Sequence, residues 1–286
     1  MEKRQFGVST HLYHHQRLCR AHLLEIAAHG FETVEVFATR THFDYRNPSA
    51  VADLQQWLAE AGLALSSLHA PVGESYASGR WSGWLSLASR DADARERAVA
   101  EAEHALYVAR RIPVGVLVAH LGAPRALQQA GGDSRAAARR SIEELHRVAE
   151  PLGVRIAVEI LPNELSRAGS LAHFVEVDLQ QADLTGAPVG IGFDVGHAHL
   201  EGDVGEALEV VSEHVLTVDV HDNRGRVDDH LMPFEGTVDW PAALTAVQKI
   251  GYDGPLMFEV GGLGPAKDIL GRARRARENM ERLLAH

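Results

Sequence analysis

Hydrophobic and polar positions follow two alternating rhythms along this chain. Short apolar, β-branched runs recur at residues 6–9, 33–37, 64–68, 114–119, 155–160, 189–193, 215–220 and 255–260, and each reads as a strand. Between them, apolar residues three or four apart predict helices over 18–29, 49–61, 91–111, 134–152, 171–183, 204–212, 240–250 and 267–284. Strict alternation of strand and helix implies parallel strands joined by crossover helices. Runs such as Val116-Leu117-Val118-Ala119 suit a sheet buried on both faces. Gly30, Gly62, Gly153 and Gly251 each follow a helical pattern, where a C-terminal cap belongs. Eight such units in 286 residues predict a single (β/α)8 TIM barrel domain spanning 1–286, with its active site at the C-terminal face. A doubly wound open sheet is the alternative, but no Gly-x-Gly-x-x-Gly follows any strand. Two long segments, 72–90 and 222–239, follow the third and seventh strands and read as loops over that face.

The ends of the strands carry the chemistry. The third ends in His69-Ala70-Pro71 and the fourth in His120-Leu121-Gly122. The fifth carries Glu159, the sixth Asp194-Val195-Gly196-His197, the seventh His221-Asp222-Asn223 and the eighth Glu259. A lone histidine at a strand end is more often a hydrogen-bonded rim residue than a ligand. A glutamate inside an apolar strand is harder to explain, because a desolvated carboxylate costs several kcal/mol without a partner. Two glutamates converging with Asp194 and His221 would repel one another without a cation between them, so the set points to a divalent metal. Mixed carboxylate and imidazole donors suit manganese, cobalt, magnesium or zinc with open positions. Downstream, Asp228-Asp229-His230 reads equally as further ligands at the same mouth or as a solvated acidic loop.

Composition narrows the field. One cysteine, Cys19, excludes an internal disulfide and a cysteine-rich metal site. A net charge of −11 argues against a broad nucleic-acid footprint, while 17 histidines exceed the aromatic residues one would compare them with, 4 Trp and 5 Tyr. No apolar run reaches the roughly 18 residues of a membrane span. No signal-peptide pattern precedes Phe6, which predicts a cytoplasmic chain.

On these residues the chain resembles the xylose isomerase-like TIM barrel superfamily, which holds sugar and sugar phosphate isomerases and epimerases together with endonuclease IV. The resemblance runs from Phe6-Gly7-Val8-Ser9 to Glu259. It implies one metal (Mn2+, Zn2+ or Co2+) held by Glu159, Asp194, His221 and Glu259, as in the ketose 3-epimerases. It also implies a substrate contact at His197, with His69, Arg80 and Trp81 as further candidates for holding the sugar; simple loop packing is the alternative for Arg80, Trp81 and Trp84. The implied activity is a metal-dependent isomerisation or epimerisation of a small sugar, with Glu159 and Glu259 moving a proton through an enediolate. Only Arg80, Arg224 and Arg226 offer themselves as a clamp for a phosphorylated substrate. The resemblance also implies a homo-oligomer.

Endonuclease IV, a zinc phosphodiesterase acting at abasic sites in DNA, is the alternative within the same superfamily. Its additional ligands fall on His69, His120, His197, Asp228 and His230, and all five residue types match. Against it stand the order His221-Asp222-Asn223, where that enzyme resembles His-x-Asn-Asp, and a 72–90 segment without its DNA-inserting residues. A binding protein that kept the barrel without turnover is a third reading, and it would have no need of both Glu159 and Glu259.

Overall fold

The computed structural model describes residues 4–123, 132–181, 184, 186, 188–261 and 264–285. Its strands are β1 (Phe6–Ser9), β2 (Thr33–Phe37), β3 (Ala64–His69), β4 (Gly73–Ala77), β5 (Arg80–Trp84), β6 (Val116–Ala119), β7 (Arg155–Glu159), β8 (Val189–Asp194), β9 (Val215–Val220) and β10 (Leu256–Phe258). Eight of these close into a parallel barrel in the order β1-β10-β9-β8-β7-β6-β3-β2. The (β/α)8 barrel expected from the alternation is the fold observed.

The helices are α1 (Arg20–Ala28), α2 (Pro48–Ala61), α3 (Ala92–Leu106), α4 (Arg135–Ala149), α5 (Ala168–His173), α6 (Val195–Glu201), α7 (Val204–Val211), α8 (Trp240–Lys249) and α9 (Ala266–Leu284). Most of them start and stop where local chemistry dictates. Asn47 caps α2 by accepting the Ser49 amide, Pro48 occupies the first turn, and Gly62 at φ 66° ends it. The main apolar core lies between the sheet and these helices and includes Leu23, Ile26, Leu54, Leu106, Leu117, Phe193 and Phe258, all fully buried. Because strand residues alternate faces, Val116, Val118 and Ala157 form a separate small cluster on the same face as Glu159.

Four departures from the sequence expectation have physical causes. The 72–90 segment is no open loop, because β4 and β5 pair as an antiparallel hairpin. Its two-residue turn, Ser78-Gly79, has both φ values positive (51° and 76°), the geometry that matches strand twist. The 134–152 helix gives way after Ala149 to a tighter turn at Glu150–Leu152, where Pro151 has no amide to continue the ladder. The 171–183 helix is instead α5 followed by a wide turn at Phe174–Asp178 and a tight one at Leu179–Gln181, and its expected end at Asp183 lies outside the described residues. The helix α6 was not expected at all. It starts straight from β8 because Asp194 accepts the His197 amide at 2.6 Å and serves as its cap. Among the described residues, no helix is long and apolar enough to cross a membrane.

Phe193 is fully buried and sits one residue before Asp194. Truncation to alanine should cost about 3–5 kcal/mol of stability, read from urea denaturation of the purified variant.

Candidate metal centre

Parallel closure brings the C-terminal strand ends into one ring, and the residues picked from those ends line it, with Glu159 and Asp194 in one cluster of donors and His221 and Glu259 in others. Glu159, at the end of β7, is 1% exposed. Its Oε2 lies 3.0 Å from Nε2 of His69 and 3.0 Å from Nε2 of His120, and its Oε1 lies 3.2 Å from Nδ1 of His197. Asp194 Oδ1 lies 2.9 Å from Nε2 of His221 and 3.5 Å from Nδ1 of His197. Asp228 Oδ2 is 3.0 Å from Nε2 of His197 and 3.3 Å from Nε2 of His230. Glu259 Oε1 is 3.9 Å from Nδ1 of His11 and 4.0 Å from Nδ1 of His230. These contacts resolve into overlapping nests of donors: His69, His120 and Glu159; Glu159, Asp194 and His197; His197, His221, Asp228 and His230; and His11, His230 and Glu259.

The tautomers follow from the backbone. His69 Nδ1 donates to the Ala70 carbonyl at 2.8 Å, and His230 Nδ1 donates to the Glu259 carbonyl at 2.9 Å. A carbonyl only accepts, so each neutral ring would turn a bare Nε2 lone pair toward a carboxylate oxygen. His221 makes a longer version of the same contact, 3.5 Å from Nδ1 to the Asp222 carbonyl. Lone pair facing lone pair is untenable without a proton or a cation between them. Asp194 Oδ2 and Glu259 Oε2 are also buried without hydrogen-bond partners among the described residues. The donor set therefore fits a divalent metal, with backbone carbonyls orienting the imidazoles from behind.

The electrostatics agree. Burial opposes ionisation of Glu159, yet His120, His197 and His69 together hold its carboxyl well below the usual range. Burial disfavours charge on His69, but Glu159 outweighs it and pushes the ring up to about 10. His230 is likewise pushed up to about 10, burial being outweighed by Asp228. For His11 burial wins, and repulsion from His230 and His14 adds to it, so this ring is held well below its ordinary value. Glu259 is pushed up to about 8, chiefly by burial.

The xylose isomerase-like TIM barrel family matches residues 23–286. The chain belongs to this family. It is 28% identical over 239 residues to the L-ribulose-5-phosphate 3-epimerase UlaE of Salmonella paratyphi A, covering 81% of this chain and 78% of that protein. Its fold matches the crystal structure of a D-tagatose 3-epimerase-like protein at a TM-score of 0.79, with 23% identity and 98% of each chain covered. It also matches the structure of an IOLI protein with a bound zinc atom at a TM-score of 0.76, with 18% identity and 97% and 98% of the chains covered.

Within this xylose isomerase-like barrel the remaining candidates fall differently. Trp81 lies in β5, its ring 5.9 Å from that of His14 and 5.9 Å from that of Phe37. Tyr76 of β4 meets His14 edge-on at 4.4 Å, so the hairpin roofs one side of the mouth. Trp84 meets Trp81 edge-on at 6.4 Å. Arg80 is exposed at the start of the hairpin's second strand, and Arg224 and Arg226 are exposed on the 222–239 loop.

His11 and His14 belong to the mouth and were missed by the sequence reading. The signal was present: the same inspection of strand ends, applied to β1, would have met His11-Leu12-Tyr13-His14-His15. Glu35 and Asp219 were missed too, although each interrupts an apolar strand as Glu159 does. Both are buried, and each is held above its ordinary value, first by desolvation.

The loop carrying Asp228 and His230 is organised from beneath by Asp222. That carboxylate is fully buried and accepts from the amides of Asn223, Phe234 and Val238 and from Trp240 Nε1, at 2.8–3.1 Å. Within this loop His230 has φ 44° and Phe234, whose amide the carboxylate accepts, has φ 76°, values that non-glycine residues seldom adopt. Gly196 completes the fit, since a Cβ there would stand 2.0 Å from Cε1 of His221.

Two outcomes are expected. Asp222→Ala leaves four buried donors unsatisfied and should lower stability by about 3 kcal/mol or more in urea denaturation, while weakening metal retention through loss of loop order. A divalent metal taken up by Glu159, Asp194, His221 and Glu259 would displace the proton held by Glu259 (about 8). Affinity should therefore rise with pH between 6 and 8, by about tenfold per pH unit for each proton released, as read by calorimetric titration at several pH values.

Proposed function

We propose that this protein is a divalent-metal-dependent isomerase or epimerase acting on a small sugar or sugar phosphate. The observation that carries the reading is the placement of two buried glutamates, Glu159 and Glu259, at strand ends flanking Asp194 and His221 on the two intervening strands. Glu159, Asp194, His221 and Glu259 would hold the metal, and His69, His120, His197, Asp228 and His230 supply donors for additional ions. When bound, such a metal supplies Lewis-acid polarisation of a substrate carbonyl and its neighbouring hydroxyl. The mixed nitrogen and oxygen set suits manganese, zinc or cobalt.

The chain's own residues supply the rest. Glu159 and Glu259 are both buried and stand at the ends of β7 and β10, on either side of Asp194 and His221. Two carboxylates flanking a bound substrate, one to take a proton from one face and the other to return one, are what such a transfer requires. His11, kept neutral beside Glu259, offers Nδ1 to a substrate hydroxyl, and His197 offers the same service between Glu159 and Asp228. The ring of His14, stacked 4.6 Å from His11, and the Trp81 indole form an apolar wall of the kind on which a sugar face packs. The naming of the 28% identical relative as a sugar phosphate epimerase and of a structural neighbour as D-tagatose 3-epimerase-like supports the same substrate class.

An abasic-site phosphodiesterase is the second reading. It draws on the convergence of His69, His120 and Glu159 and of His197, Asp228 and His230 beside the central set. The aromatic roof and the net charge of −11 weigh toward a small substrate over a polyanion.

Metal content of the purified chain by mass spectrometry comes first, followed by a ketose panel and an abasic-site oligonucleotide. About one manganese, zinc or cobalt ion per chain and turnover of a ketose are expected; two or three zinc ions with strand cleavage would transfer the assignment to the second reading. Glu159→Gln should abolish turnover, by about a thousandfold or more, with an unchanged circular dichroism spectrum. Normal turnover by that variant with its metal bound would exclude the two-glutamate mechanism.

A further inference from the structure

Below the mouth, the barrel interior holds three carboxylates where such barrels are filled by branched apolar side chains. Glu35 on β2 and Asp219 on β9 are 0% and 1% exposed, and Glu259 follows β10. One oxygen from each lies within 4.8 Å of the others. Glu35 accepts Ser9 Oγ on Oε1 and Ser67 Oγ on Oε2, both at 2.9 Å, so the two hydroxyls favour its anion. Among the described residues neither oxygen of Asp219 has a hydrogen-bond partner, and neither has Oε2 of Glu259.

A second observation stands apart from the carboxylates. Thr217 Oγ1 is also without a partner among the described residues, on a side chain nine-tenths buried and on the same strand face as Asp219. Thr217, Ser67 and Asp219 line a cavity of about 180 Å3 that lies among the starts of β6, β7 and β9. The cavity has room for several waters and polar walls to hold them.

We propose that Glu35, Asp219 and Glu259 hold a hard divalent cation of the magnesium or calcium type beneath the mouth, with water ligands drawn from the Thr217 cavity. The donors here are all oxygen, unlike the imidazole-rich mouth, and that is the set hard cations select. Oxygens on opposite sides of a cation bound at about 2.3–2.6 Å stand about 5 Å apart, in keeping with the observed spacing. The cation would balance three buried carboxylates that otherwise repel one another. It would also fix Glu259 from below, while Oε1 of that residue faces His11 and His230. The site shares Glu259 with the proposed mouth centre but does not rest on it.

Crystals of the full chain grown with Mn2+ as the sole divalent cation decide the matter, because an anomalous map at the manganese edge reports each site separately. A peak within about 2.6 Å of oxygens of Glu35, Asp219 and Glu259, distinct from any mouth peak, is expected. In Asp219→Asn that peak should vanish while the mouth peaks keep their height. Glu35→Gln serves the same purpose should Asp219→Asn not fold. A wild-type map with metal at the mouth and none among the three carboxylates overturns the inference, as does a deep peak undiminished in Asp219→Asn. A deep peak beneath an empty mouth would sustain this site and overturn the proposed mouth centre; two empty sites would overturn both. A calcium back-soak should empty the deep site first, and the reverse order would overturn its assignment to a hard cation.

Discussion

The mouth of this barrel is organised around the difficulty of keeping Glu159 ionised out of reach of water. A buried, unpaired carboxylate would cost several kcal/mol, and three imidazoles from three different elements, β3, the end of β6 and α6, converge on its two oxygens to offset that cost. One of these rings, His69, is locked at Nδ1 by the Ala70 carbonyl, and elsewhere in the mouth His230 is locked in the same way by the Glu259 carbonyl, which fixes where each Nε2 points. Orientation is thereby settled before any ligand arrives, the condition under which a metal or a substrate binds without first ordering the side chains that hold it.

The same logic extends to parts of the chain that never reach the mouth. Asp222 is the neighbour of His221 and points the other way, because adjacent residues leaving a strand face opposite sides. Its four hydrogen bonds gather the 222–239 loop, and its backbone pairs with that of Leu231, next to His230. The Asp222-Asn223 order, which distinguishes this chain from endonuclease IV at the sequence level, thus has a structural reading of its own. Asn223 donates to the Gly196 carbonyl at 2.7 Å, tying the loop to the helix that carries His197.

The barrel interior is divided in character. Val116, Val118 and Ala157 make a small apolar patch on one side, while Ser9, Glu35, Ser67 and Asp219 make a polar layer on the other. Parallel register places Ser9 beside Glu35, Glu35 beside Ser67 and Asp194 beside Asp219, so the polar layer continues into the candidate metal centre above it. Charge on one tier is felt on the next: Glu35 and Asp219 are each disfavoured by Glu159, after their own desolvation.

The amino-acid sequence by itself determined the barrel, because strand and helix periodicities are local and eight repeats leave few ways to close. It also determined the ends of the strands from the third to the eighth, where a charge after an apolar run is visible without any partner in view. The place of the 73–84 hairpin over the mouth and the roles of His11 and Asp222 were decided by tertiary structure. They depend on contacts between residues distant in the chain: Tyr76 and Trp81 with His14, Asp222 with Trp240, His11 with His230 and Glu259. The helix at Val195 starts on a local cap, Asp194 accepting the His197 amide. The charged residues within β2 and β9 lay between these cases. Their residue types were legible, but only barrel closure shows that Glu35 and Asp219 share the interior with Glu259, since a strand's own sequence shows which residues share a face and not what lies across the barrel from it.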